Sequence, residues 1–166
     1  QPGLGTQVGI TLHLPTLPRE PGPKMVETET PATLTPLNVL VVDDHAANRL
    51  LMCQQLEFLG HRFSVAEDGQ AGFEVWKAGT FDLVIADCNM PVMNGYELVR
   101  AIRRQECQTQ QRPCTVLGFT ANAQPEEIQR CKQAGMDDCL FKPLTLTALS
   151  QWVEGMEPMD LAPVFS

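Results

Sequence analysis

Four short apolar runs in this chain each end on a polar residue, and that arrangement limits what the chain can fold into. Residues 38–42 (NVLVV), 81–86 (FDLVIA), 114–119 (CTVLGF) and 138–141 (DCLF) are followed by Asp43-Asp44, Asp87, Thr120 and Lys142-Pro143. Short, nearly continuous apolar runs are what parallel strands covered on both faces require. If the four are neighbours in one sheet, three carboxylates, a hydroxyl and an ammonium converge at its carboxyl edge. Open α/β sheets place their ligands at that edge.

The segments between the runs support such a sheet. Residues 46–59 place Leu50, Cys53, Leu56 and Leu59 at helical spacing, with Gly60 closing the helix. Residues 62–66 read as a further strand, and residues 70–78 as a helix carrying Phe73, Val75 and Trp76. After a turn-rich loop at 88–95, residues 96–106 put Tyr96, Val99 and Ile102 on one helical face. Residues 125–134 open with proline in the first turn and close at Gly135. Residues 145–153 form a last helix. Five strands alternating with five helices predict an α/β fold, a doubly wound parallel sheet with right-handed crossovers.

The ends differ from this middle. Residues 1–36 are dense in proline; 19–36 read as a linker, and 7–14 (QVGITLHL) have the flavour of a strand. Residues 155–166 lack periodicity and read as an outgoing linker. The first residue is Gln, as in a piece excised from a longer chain. A net charge of −8 excludes nucleic acid as a direct partner, because phosphate binding needs clustered Lys and Arg. Arg100, Arg103 and Arg104 form the one basic cluster and read as a solvated helix face. Six cysteines lack zinc spacing and read as buried, reduced thiols of a cytoplasmic protein. No apolar stretch is long enough to span a bilayer, so no direct membrane contact is expected.

An Asp-Asp pair after a strand is most often a helix cap, and Asp44 or Asn48 would serve. A third carboxylate at the same position of another strand changes that reading, because crowded like charges need a cation. Hard oxygen ligands with open positions favour magnesium. Asp87 is then the candidate nucleophile, since a carboxylate can accept a phosphoryl group as an acyl phosphate. Phosphoryl transfer depends mainly on positioning and charge neutralisation, which the Lys142 ammonium and Thr120 hydroxyl would supply. Ala121 is small enough to leave the group accessible, and Pro143 marks a candidate cis peptide. Met90-Pro91 and Asn94-Gly95 form a double turn beyond Asp87. His13, His45 and His61 read as ordinary solvated or packed histidines.

These motifs, VLVVDD (39–44), DLVIADCNMPVMNG (82–95), GFTA (118–121) and DDCLFKP (137–143), resemble the receiver domain of two-component response regulators. The resemblance covers residues 37–154. It implies a flavodoxin-like five-stranded sheet of order 2-1-3-4-5 and Asp87 as phosphoacceptor. Asp43 and Asp44 become the acidic pair, with magnesium held by Asp44, Asp87 and the Asn89 carbonyl. Thr120 and Lys142 take the switching and phosphate-contact roles, while Asn89 and Asn122 tune acyl-phosphate lifetime. Segment 3–15 (GLGTQVGITLHLP) is similar to the last strand of a histidine-kinase ATP-binding domain, which makes residues 1–18 its remnant. The whole resembles a hybrid sensor histidine kinase of the Bvg/Evg virulence-sensor kind. The partners implied are the kinase dimerisation and phosphotransfer domain and a downstream histidine phosphotransfer domain. The parent would be an inner-membrane sensor with this part in the cytoplasm. Where the family usually has an aromatic switch, three residues before the lysine, this chain has Cys139.

Other classes fit less well. A receiver that serves mainly as a regulatory docking module on its own kinase is the closest alternative. A haloacid-dehalogenase phosphatase needs Asp-x-Asp after its first strand, and here the aspartates are adjacent. A flavodoxin needs a Ser/Thr/Gly phosphate cradle in the first loop, which is absent.

Overall fold

The computed structural model describes residues 35–156. The strand expected at 7–14 and nearly all of both linkers lie outside them. Ten elements alternate in the order the sequence predicts. The strands are β1 (Asn38–Val42), β2 (Arg62–Ala66), β3 (Leu83–Asp87), β4 (Thr115–Thr120) and β5 (Asp138–Phe141). The helices are α1 (Ala46–Phe58), α2 (Gly69–Ala78), α3 (Gly95–Thr109), α4 (Pro125–Ala134) and α5 (Leu146–Glu154). All strand pairings are parallel, and the sheet order is β2-β1-β3-β4-β5.

Strand pleating divides the core in two. Leu40, Val42, Val84, Ala86 and Val116 pack with Trp76 of α2, Leu98, Val99 and Ile102 of α3, and Cys131 and Ala134 of α4. The alternate residues Val39, Val41, Leu83, Ile85, Leu117 and Phe119 pack with Met52 and Leu56 of α1 and Leu149 and Val153 of α5. The inner strands β1, β3 and β4 are therefore covered on both faces, as parallel strands demand, while the edge strand β2 leaves Phe63 and Val65 exposed. Each large apolar side chain fully buried contributes roughly 1.5–3 kcal/mol.

Two expectations about helix faces are corrected. Leu56 is buried and Leu59 packs alongside as the spacing predicts, but Leu50 is 61% exposed and Met52 joins the core in its stead. Met52 lies with Leu56 and Leu59 on the face of the helix turned away from Leu50, and that is the face against the sheet. Arg103 is not on a solvated face. Its guanidinium reaches Glu106 Oε2 at 2.8 Å, Asp137 Oδ2 at 2.8 Å and the Cys114 and Gly135 carbonyls at 2.8 and 2.9 Å. Arg100 and Arg104 are exposed as expected.

Helix ends follow familiar capping. Asp68 and Thr145 accept from the third residue beyond them, and Asn94 with Glu97 forms a complete capping box. Among the described residues, no helix is long and apolar enough to cross a membrane.

Candidate functional site

Strand register brings the polar ends together. Val42 lies beside Ala86, so Asp43 and Asp87 stand at the same level of adjacent strands. Asp87 pairs with Phe119 and Thr120 with Phe141, which sets Thr120 and Lys142 beside them. By alternation, Asp43 follows Val39 and Val41, and Asp87 follows Leu83 and Ile85, toward the α1 and α5 side.

Lys142 Nζ donates to Asp87 Oδ2 at 2.8 Å and lies 3.6 Å from Asp43 Oδ2. The Lys142–Pro143 peptide is cis. Asp87, 2% exposed, also accepts at Oδ1 from the Asn89 backbone N–H at 3.0 Å. Asp43 is wholly buried; its Oδ1 accepts from the His45 N–H at 2.7 Å, and Asn48 Nδ2 lies 3.3 and 3.1 Å from its two oxygens. Asp44 sits at the rim, its Oδ1 2.9 Å from His45 Nδ1. The Thr120 hydroxyl, buried, accepts from the Asn122 N–H at 3.1 Å. Ala121, Asn89 and Asn122 are exposed around the opening.

Burial pushes the Asp87 carboxyl above the ordinary carboxylate range, and the Asp43 charge adds to this. Hydrogen bonds from Lys142 and the Asn89 amide, with the Lys142 charge, oppose that rise without cancelling it. For Lys142, burial acts to lower the ammonium, yet the Asp87 hydrogen bond and the two carboxylate charges leave it raised. The two shifts agree: one ammonium is shared by more negative charge than it offsets. Oxygens of Asp43, Asp44 and Asp87 come within 4.8 Å of one another and of a His45 nitrogen. An oxygen-rich, over-acidic group at an open edge fits a hard divalent cation such as magnesium.

Every sequence-predicted side chain of the site is brought to this edge. Two readings change in detail. Neither Asp44 nor Asn48 caps α1: its N-cap is His45, without a side-chain cap, and Asn48 turns to Asp43. His45 is no bystander, since it pairs with Asp44 and lies 3.6 Å from Asp43 Oδ1. Arg49, which the sequence did not single out, donates from Nη1 to the Asp43 carbonyl at 2.6 Å. Its place in the first turns of α1, the helix that follows Asp43 almost directly, was its available signal. Gly95 matters too: a Cβ there would stand 2.4 Å from the Asp87 carbonyl oxygen, so α3 can begin against the site only with glycine.

Comparison with known proteins agrees with this geometry. The chain is 46% identical over 158 residues to the virulence sensor protein BvgS of Bordetella bronchiseptica. That alignment takes in 90% of the chain and 13% of the relative, so the chain spans about an eighth of that protein. The receiver domain of sensor histidine kinase PA1611 of Pseudomonas aeruginosa, with magnesium coordinated in its active-site cleft, superposes with a TM-score of 0.65 at 31% identity. It covers 72% of this chain and 95% of that one. The complex of the Saccharomyces cerevisiae phosphotransfer protein Ypd1 with the receiver domain of Ssk1 gives a TM-score of 0.71 at 26% identity, over 78% and 97% of the two chains. With residues 39–154 matching the model of the response regulator receiver domain, the chain belongs to that family.

Proposed function

We propose that residues 37–154 are the phosphoacceptor receiver of a hybrid sensor histidine kinase, taking a phosphoryl group from a kinase histidine onto Asp87. The group then passes to a histidine phosphotransfer domain. The observation that carries this reading is the Asp87 carboxylate, buried at the end of the central strand and 2.8 Å from an ammonium. An Asp87 oxygen attacks phosphorus, the P–N bond to the donor imidazole breaks, and a P–O bond forms, giving an acyl phosphate and a free imidazole. Onward transfer reverses the sequence with a second imidazole as acceptor.

Lys142 holds the nucleophile and then faces the equatorial oxygens as charge moves onto them. Thr120 offers its hydroxyl from the neighbouring strand. Asp44, Asp87 and the Asn89 carbonyl would hold magnesium, with Asp43 orienting the set; the metal would neutralise phosphoryl charge when bound. In this reading the domain catalyses its own phosphorylation and dephosphorylation, with Asn89 and Asn122 tuning acyl-phosphate lifetime.

Similarity supports the wider assignment. The BvgS alignment extends beyond the residues that the receiver family occupies. This favours residues 1–18 as the end of a kinase ATP-binding domain, 19–36 as a linker, and 155–166 as an outgoing one. The domain would then work in the cytoplasm, tethered to an inner-membrane sensor. Exposed Leu50, Leu51 and Phe58 give α1 an apolar surface suited to a helical phosphotransfer partner.

Intact mass after incubation with magnesium and acetyl phosphate tests the reading. A single magnesium-dependent, hydroxylamine-labile adduct in the wild type, absent in Asp87→Asn, is expected. Stoichiometric labelling retained in the variant would remove Asp87 from its role.

A further inference from the structure

On the opposite side of the sheet from Asp87, four sulfurs from four places in the chain come together. Cys88 follows β3 directly, Cys131 is on α4, Met136 lies in the turn after it, and Cys139 is on β5. All are buried, Cys88 and Cys131 completely. Cys88 and Cys131 Sγ are 3.7 Å apart. The measure of their convergence is Gly118 on β4. A Cβ at that residue would meet Met136 Sδ at 2.7 Å, Cys131 Sγ at 3.1 Å and Cys88 Sγ at 3.2 Å. Cys139 adjoins the same group through Cys131.

We propose that Cys88, Cys131 and Met136, with Cys139 beside them, form a binding site for a soft monovalent cation of the copper(I) class. Thiolate and thioether ligands select such ions, whereas a thioether adds little for zinc or magnesium. Charge points the same way. A monovalent ion that displaces one thiol proton to solvent leaves the buried group's net charge unchanged, so no new charge is buried. A divalent ion would have to displace two protons, or leave a net positive charge in the core. Glu127, the carboxylate grouped with Cys88 and Cys131, is already engaged by the Tyr96 hydroxyl and by Arg130 Nη1 at 3.4 Å. It therefore stays a neighbour rather than becoming a ligand. Because Cys88 is bonded to Asp87, an ion held here would sit one residue from the phosphoacceptor, on the other face of the sheet.

The test uses the full chain, reduced and anaerobic, with Cys53→Ser and Cys107→Ser in the background to remove thiols outside the core. Copper(I) is delivered from a coloured chelator, and bound metal is counted after desalting. One copper(I) per chain is expected, held against the chelator, with thiolate-to-copper absorption. Cys88→Ala and Cys131→Ala should each lose stoichiometric binding, while Cys114→Ala, a buried thiol elsewhere, should keep it; circular dichroism checks that each variant folds. Loss of the background protein's binding, equal binding in folded Cys131→Ala, or firmer retention of zinc than of copper(I) would overturn the proposal. So would a Cys88–Cys131 disulfide as the only product. None of these readouts depends on phosphorylation, so they stand or fall apart from the assignment of Asp87.

Discussion

Val92, in the loop just past Asp87, holds φ at 68° with its side chain 84% exposed. A β-branched residue is ill suited to that left-handed region, which costs an L-residue roughly 1–2 kcal/mol. Nothing packs on the exposed side chain strongly enough to offset this, so Val92→Asn should stabilise the domain by about 0.5–1 kcal/mol. An unchanged midpoint in urea unfolding would show the strain to be absent. Lys142 presents the opposite case, a residue whose removal should harm chemistry more than fold. Lys142→Ala should retain magnesium binding but slow phosphorylation from acetyl phosphate by roughly 10²-fold. Full speed in the variant would argue that its ammonium, 2.8 Å from Asp87, has no part in the transfer. Residue identities at the site were legible because each follows a recognisable strand, where register alone decides the position. The link from His45 to Asp44 was not, since a loop histidine next to an acid is commonplace and only backbone geometry aims the ring. The sign of φ at Val92 is equally hidden, for valine there argues against it.

At the scale of elements, α1 tests what periodicity can say. Its spacing predicted a buried stripe of Leu50, Cys53, Leu56 and Leu59; Leu56 is buried as expected, but Leu50 is exposed and Met52 takes its place in the core. Leu56→Ala should therefore cost about 2–5 kcal/mol, and Leu50→Ala under about 0.5 kcal/mol. Comparable losses in chemical denaturation would return Leu50 to the buried stripe. The misreading has a physical source: α1 carries apolar residues nearly all round, with Leu50, Leu51 and Phe58 exposed, so no single face stands out. Strands and their order were clearer, because continuous apolar runs with intervening helices leave few topologies. The start of β2 offers another check. His61 is buried, and its Nδ1 accepts from the Leu37 N–H at 3.2 Å, joining the entries of β1 and β2. Burial lowers its pKa, so the folded protein resists taking up a proton there. The linked stability is complete above the unfolded imidazole value of about 6.5 and is lost as pH falls toward the depressed folded value. His61→Gln should flatten stability against pH across that window. A slope as steep as wild type would place the acid sensitivity elsewhere.

For the whole molecule, the site and the cores are parts of one arrangement. Three carboxylates meet at the ends of β1 and β3, inner strands covered on both faces, with a single ammonium shared between Asp87 and Asp43. A bound cation should then stabilise the native state by mass action, about 2.7 kcal/mol at one hundred times its dissociation constant. Thermal unfolding should shift upward with magnesium and return with chelator, and Asp44→Ala should remove the shift. Equal shifts in that variant would move the metal away from the edge. The pleat has a further consequence, for how such a chain can change over time. Asp87 and Cys88 are successive residues belonging to opposite faces, one at the acidic edge and one among the sulfurs. Delete one residue within β3 and Cys88 takes the level of Asp87, presenting a thiol where a carboxylate must stand; insert one and Asp87 takes the level of Cys88, burying an aspartate against methionine. Length variation is thereby closed to the strands and confined to loops and helix ends. Descendants of this sequence can diversify by substitution around the edge, but the count of residues leading up to it has to be inherited intact.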